Sequence, residues 1–311
     1  MPDIVIAFFA LGLLAGLMKS DLKVPKAVYE TLSILLMLTL GLKGGLALHG
    51  QAQGSAIWDL LLIGSLGVLI PVVLYPLLTR LVKLDNANAV SIAAHYGSVS
   101  AGTFAVALAL AQSAGMEMAA ETTLYLVLLE VPALVVMLWW YQRQKGTGET
   151  SAKVWHEALT SRSVLLLVGG VIIGWLYGPE GLAPITPTLI GGFTTFLALF
   201  LLEMGICTAR ACFPLPLKHW RLLIFAAVAP FVLAWVGLGM GLWLGLPPGS
   251  ILILAGLTAS ASYIAAPAAI HAAVPEADIG LAMLAALGIT FPINVLIGLP
   301  LYQQWVVMLT Q

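Results

Sequence analysis

His95-Tyr96-Gly97-Ser98-Val99-Ser100-Ala101-Gly102-Thr103 sits in the middle of an apolar run from 87 to 114. Such a run crosses a bilayer as a helix, since the hydrocarbon needs about 20 mostly apolar residues. Its centre, however, is made of residues that weaken helix: glycine through backbone entropy, serine through local hydrogen bonds, threonine through its branched Cβ. A second run, 249 to 274, carries Thr258-Ala259-Ser260-Ala261-Ser262-Tyr263-Ile264-Ala265-Ala266-Pro267 at its centre. Pro267 removes an amide donor and disfavours helical geometry at the residue before it. One such stretch alone would be read as a small-residue packing face. Two, each central, favour helices that break halfway through the lipid.

Outward from these, ten apolar runs appear, at 3–18, 28–48, 57–79, 87–114, 121–141, 163–178, 187–208, 220–245, 249–274 and 278–309. Composition agrees: 61% of residues are apolar and 9% charged, against about 45–50% and about 25% in soluble domains. Mean hydropathy is +1.04. A net charge of −1 removes the basic field on which nucleic-acid binding draws. Cys207 and Cys212 fit neither a zinc spacing nor a disulfide framework and read as small apolar residues. The first run ends in Met18-Lys19-Ser20, with no basic segment before it and no small-residue cleavage site after it, so it is expected to stay as a helix.

Every Lys and Arg except Lys43 falls in the first, third, fifth or seventh connection. Basic loops stay in the cytoplasm, which puts the loop 142–162 inside and both termini outside. The ninth connection breaks the pattern, being odd-numbered yet acidic with Glu276 and Asp278.

The two halves repeat. Gly12 and Gly16 match Gly170 and Gly174, each pair in a GxxxG frame, and Gly44 matches Gly205. Ile70-Pro71-Val72 matches Ala229-Pro230-Phe231, Ser98 and Ser100 match Ser260 and Ser262, and Glu130-Val131-Pro132 matches Thr290-Phe291-Pro292. Five helices is an odd number, so the second copy enters the membrane upside down. The expected fold is an all-α polytopic membrane protein of ten transmembrane helices, two inverted five-helix repeats at 1–141 and 163–311 with a cytoplasmic linker at 142–162. Inverted repeats with paired broken helices are a transporter architecture, with the binding site near the midplane.

A break exposes amides and partial positive charge at one half-helix start, carbonyls and partial negative charge at the other half's end. A small oxyanion suits the first, with Ser98, Val99, Ser100, Ala101 and Gly102 on one side and Ser260, Ala261 and Ser262 on the other as candidates. A sodium ion suits the second, on oxygens of Ser98, Thr103, Thr258 and Ser260, with Asn88 and Glu130 as further candidates. Glu130, mid-span, is expected near the first break, balancing a cation or carrying a proton. Lys43 and Glu203, nearly repeat-equivalent, read as a pair or as two cavity-lining groups. No P-loop, H-E-x-x-H or metal-spaced His/Cys cluster is present, and Ser98 stands where a G-x-S-x-G elbow needs glycine, so no catalytic role is expected. His49, His95 and His271 are isolated and read as structural.

Gly41-Leu42-Lys43-Gly44-Gly45, Gly97 to Thr103, Val131-Pro132-Ala133-Leu134, Met204 to Arg210, Ala229-Pro230-Phe231 and the segment from Ser260 to Pro267 together resemble the sodium-dependent bicarbonate transporters first recognised in cyanobacteria. The resemblance implies helices one, two, six and seven as a gate around a moving six-helix core, a homotrimer, and a bacterial plasma-membrane location. It also implies bicarbonate and sodium bound on Ser98, Ser100, Ser260 and Ser262, no organic cofactor, and a PII-like regulator docking from the cytoplasm. The chain departs from that family at Ala261 and Tyr263, where cyanobacterial members carry a serine triplet followed by aspartate, at the position facing Lys43, which is usually small and neutral there, and in a shorter central loop. The function expected is a sodium-coupled symporter of a small monoanion, bicarbonate first, working by elevator-like alternating access. A proton- or sodium-coupled carrier of another small carboxylate, or an anion channel, are the alternatives.

Overall fold

The structure is a computed structural model that describes residues 4–49, 56–145, 160, 162–212 and 217–310, and these are mostly helical with no strand among them. The elements are α1 Ile4–Leu17, α2 Lys26–Leu48, α3 Ala56–Leu77, α4 Asn86–Gly97, α5 Ala101–Ser113, α6 Tyr125–Lys145, α7 Arg162–Leu182, α8 Phe193–Cys212, α9 Trp220–Trp243, α10 Pro248–Thr258 and α11 Ala265–Ala273. The last span, α12, covers Ile279–Thr310. Eight stretches among the described residues are long and apolar enough to cross a membrane, while α1 and α10 are shorter apolar helices. Most of the linker expected at 142–162 lies outside the described residues.

Two layers of packing organise the bundle. In the first, α1 lies on α8 and α2 lies on α7. Glycine decides both seams. A Cβ added at Gly41 or Gly45 would overlap the α7 backbone around Gly170 and Gly174, and one at Gly205 would overlap the α1 backbone around Phe9 and Gly12. These helices touch main chain to main chain, the close approach that small residues permit between apolar helices. In the second layer α3 packs on α4 and α6, α9 packs on α10 and α12, and α5 packs on α10.

Some boundaries differ from the sequence expectation. The sixth span runs past 178 to Leu182, bent at Gly178, whose φ of 60° belongs to the left-handed region. The His49 ring fills the space where a side chain at 178 would stand, and its Nδ1 lies 2.7 Å from the carbonyl of Trp175. The last span is not a uniform helix: Leu284–Thr290 and Asn294–Gly298 are wound as π-helix around Pro292. A proline cannot donate to the ladder, and the wider turns absorb the mismatch.

The third, fifth and ninth connections meet at one end. Tyr75 donates to Asn86 and accepts from Gln144, joining the third connection to the end of α6. Glu276 pairs with Lys145 and accepts from Tyr141. The acidic ninth connection therefore lies beside the basic fifth, which removes the anomaly in the charge pattern. Lys43 and Glu203 do not pair. The Lys43 ammonium sits 4.1 Å over the Phe193 ring, and Glu203 Oε1 accepts from Cys207 Sγ at 3.3 Å. A cation over an aromatic face keeps its charge compensated without a carboxylate.

Candidate functional site

Both expected breaks are present. The chain leaves helical geometry after Gly97 and resumes at Ala101, and leaves it again after Thr258 and resumes at Ala265. At the first break Val99 takes a φ of 48° although its Cβ is branched, and it is 2% exposed. A branched residue held there costs about 1–3 kcal/mol and persists only where its surroundings over-determine it.

Those surroundings are the other break. The Ser100 amide donates to Ser260 Oγ at 2.8 Å, and the Ser262 amide donates to the His95 carbonyl at 2.7 Å. Each interruption thus supplies an acceptor to the other, and the two helices cross in direct contact. Ser260 Oγ in turn donates to the Leu257 carbonyl at 2.7 Å, which fixes its rotamer. Ser100 caps α5, its Oγ accepting from Thr103 N at 3.1 Å, and Ser262 Oγ accepts from Ala266 N at 3.2 Å at the start of α11. Serines matched between the halves in sequence do the same job at both half-helix starts.

Between these starts lies a small pocket. Val99, Ser100 and Ala101 line it from the first break, Ser262 to Ala265 from the second, and Met37 and Glu130 close it. Both half-helix N-termini, with their partial positive charge, border the same space. About 10 Å³ of it is open to the centre of a water-sized sphere, room for about one water and too little for a four-heavy-atom anion. Tyr263 fills the rest. Its ring meets Phe291 edge to face at 5.1 Å, and its hydroxyl, buried beside Ser100 and Gly102 with no well-formed hydrogen bond, occupies the mouth of α5.

Several buried oxygens around the crossing have no partner: Ser98 Oγ, Thr103 Oγ1 and Glu130 Oε1. A buried polar atom left unpaired costs about 1–3 kcal/mol; of these three residues Glu130 lines the pocket, while Ser98 and Thr103 do not. Ser98 and Thr103 are fully buried and Glu130 is 4% exposed. Thr258 is turned away, its hydroxyl donating to the Leu254 and Ala255 carbonyls of its own helix. Ala261 is buried in the second break without lining the pocket. Asn88 stands apart. Its Nδ2 donates to Asp85 and its Oδ1 accepts from Asp278 N at 2.8 Å, at the far end of α4. Ten residues separate it from Ser98, about 15 Å of helix.

Three polar residues at the crossing were not expected from the sequence: Asn294, Tyr302 and Thr290. Asn294 donates from Nδ2 to the Ala259 carbonyl at 2.7 Å, satisfying the end of α10, and accepts from Tyr302 at 3.0 Å. Thr290 joins Tyr96 Oη at 2.6 Å and donates to the Ala226 carbonyl at 2.8 Å. Asn294 had a signal: an amide inside an apolar span is costly and marks a polar contact. Thr290 had another, as the repeat partner of Glu130.

A bundle of apolar helices enclosing a polar pocket where two of them break is a multi-pass membrane protein. Residues 4–307 match the family model of the Na+-dependent bicarbonate transporter superfamily, and the chain belongs to that superfamily. A comparison with curated proteins gives no match.

Proposed function

We propose that the protein is a secondary symporter that carries bicarbonate into the cell on a sodium gradient. One observation carries the reading: two half-helix N-termini, cross-bonded through Ser100 N to Ser260 Oγ and Ser262 N to the His95 carbonyl, border one buried pocket. Amides and serine hydroxyls there suit an oxyanion, with Ser98 to Gly102 and Ser260 to Ser262 as its setting. The unpartnered oxygens of Ser98, Thr103 and Glu130 suit a hard cation, and proximity of the two charges offsets the cost of placing either in the membrane. Tyr263 must move for the anion to enter.

Packing supports the inverted repeat, split at 1–141 and 163–311. The pair α1 and α8 exchanges with α7 and α2, and the α3 contacts recur as α9 contacts. Even the ties at the membrane surfaces recur: Asn88 joins the start of α4 to Asp278, and Ser250, its repeat partner, joins the start of α10 to Ala119 and Thr122. In this reading α1, α2, α7 and α8 form the gate and the remaining helices move past it as an elevator-like core. In the same reading both termini face outside, the basic end faces the cytoplasm of a bacterial plasma membrane, and the protein works as a homotrimer with a PII-like cytoplasmic regulator, a proposal that family membership supports.

Uptake of labelled bicarbonate into proteoliposomes tests this. An inward sodium gradient should drive accumulation, and uptake indifferent to sodium would overturn it. Glu130 in the pocket favours a second reading in which a proton takes sodium's place, and a proton gradient alone would then suffice.

A further inference from the structure

Away from the crossing, α3 and α9 lie antiparallel and leave between them a groove of about 610 Å³. Leu74, Leu77, Ile224, Val228 and Val232 form its length, and the last three are each more than half exposed. Its lining changes character at one end, where Arg80 and Lys83 from the end of the α3 span and Arg221 from α9 gather beside the exposed indole of Trp220. Among the described residues the ion pairs are Lys26 with Glu30 and Lys145 with Glu276, so no carboxylate there answers these three cations. Arg221 lies 5.3 Å over the Trp220 ring, and α9 starts next to it at His219, whose side chain does not cap the first turn.

We propose that this groove binds one anionic glycerophospholipid, an acyl chain along Leu74 to Val232 and the phosphodiester between Arg80, Lys83 and Arg221. The commitment to an anionic lipid follows from the charges. A long apolar trough open to the bilayer takes any acyl chain, but three uncompensated cations at its end favour a headgroup with net negative charge, and basic pockets between spans select such headgroups. Trp220 is an exposed indole beside the cations, the residue type found where spans meet headgroups. The groove also touches the machinery behind it. Phe225, on its wall, packs against Tyr96 at 5.0 Å, two residues before the break at Ser98.

Native mass spectrometry of the full chain in detergent, titrated with phosphatidylglycerol and phosphatidylcholine of identical chains, tests the site. One phosphatidylglycerol per chain should remain bound under activation that strips phosphatidylcholine. Each cation is worth roughly fivefold near the surface, so R80Q/K83Q/R221Q should weaken the anionic adduct roughly a hundredfold and bring it level with the neutral lipid. Inorganic phosphate should not compete, because it lacks the chain. Equal retention of both lipids by the unmodified protein would overturn the proposal, as would undiminished phosphatidylglycerol on the triple variant. So would displacement by phosphate alone, or a variant whose oligomeric mass falls while its lipid binding stays, which would assign the groove to a second copy. The comparison of lipids on the unmodified chain decides the matter even if the triple variant does not fold.

Discussion

Ser98→Ala separates a ligand oxygen from a structural one, because Ser98 Oγ is unpaired while Oγ of Ser260, its match in sequence, is bonded on both sides. Ser98 Oγ is fully buried and makes no hydrogen bond, so it is a desolvated hydroxyl with nothing in return. Deleting it relieves about 1–3 kcal/mol of that cost, and the variant should melt at or above the temperature of the unmodified protein. If the oxygen serves the coupling ion, its loss removes a similar about 1–3 kcal/mol of binding, which raises the half-saturating sodium concentration roughly 5- to 150-fold. Ser260→Ala should do the reverse to stability. Its Oγ accepts from Ser100 N at 2.8 Å, and removing it strands a buried amide at a cost of about 1–3 kcal/mol. The assay is thermal melting of both purified variants beside sodium-titrated bicarbonate uptake in proteoliposomes. Unchanged sodium dependence in Ser98→Ala would refute the ligand role, and a melting temperature well below the parent's would show that the hydroxyl holds the fold.

Glu130→Gln keeps the shape of a side chain whose Oε1 has no partner, so it should fold normally while losing or altering the cation dependence of uptake, read from sodium and pH titrations. Tyr263→Ser removes the ring that fills the pocket, so the anion no longer has to displace it, and the half-saturating bicarbonate concentration in proteoliposome uptake should fall. Gly205→Ala drives a methyl into the α1 backbone and should lower thermal stability by about 1–3 kcal/mol, whereas Gly239→Ala, with open space around it, should be neutral or slightly stabilising by the same melting assay.

The breaks were legible because they are written in backbone chemistry: glycine, serine and Pro267 announce where a helix yields, whatever surrounds it. Of the glycines matched between the halves, Gly12, Gly170, Gly174 and Gly205 each lie against the backbone of a neighbouring helix, whereas Gly44 lies against the Thr123 side chain. Glu130 was placed near the first break on its depth and its neighbour Pro132, and it lines the pocket. Asn88 was counted as an oxygen near the site because it begins the same helix, yet about 1.5 Å of rise per residue carries it to the surface, where it fastens Asp278. Lys43 and Glu203 read as a pair or as two cavity-lining groups, and the pair does not form because Phe193 stands under the ammonium. Tyr263 could not be located beforehand: its hydroxyl ends beside Gly102 of the other half, and only the crossing of the two halves decides that. Nor could the π-wound turns be foreseen, being a response to Pro292 under packing from both sides.

The clasp between Ser100 and Ser260 spans 160 residues of chain, and it sets a condition on how the molecule is born. When the first five helices have left the ribosome, the Ser100 amide sits at membrane depth with its acceptor still untranslated. The nascent half must wait with an unsatisfied donor, sheltered by water or by the insertion machinery, until the second half arrives. The two halves made as separate polypeptides should therefore each be short-lived alone and survive when produced together.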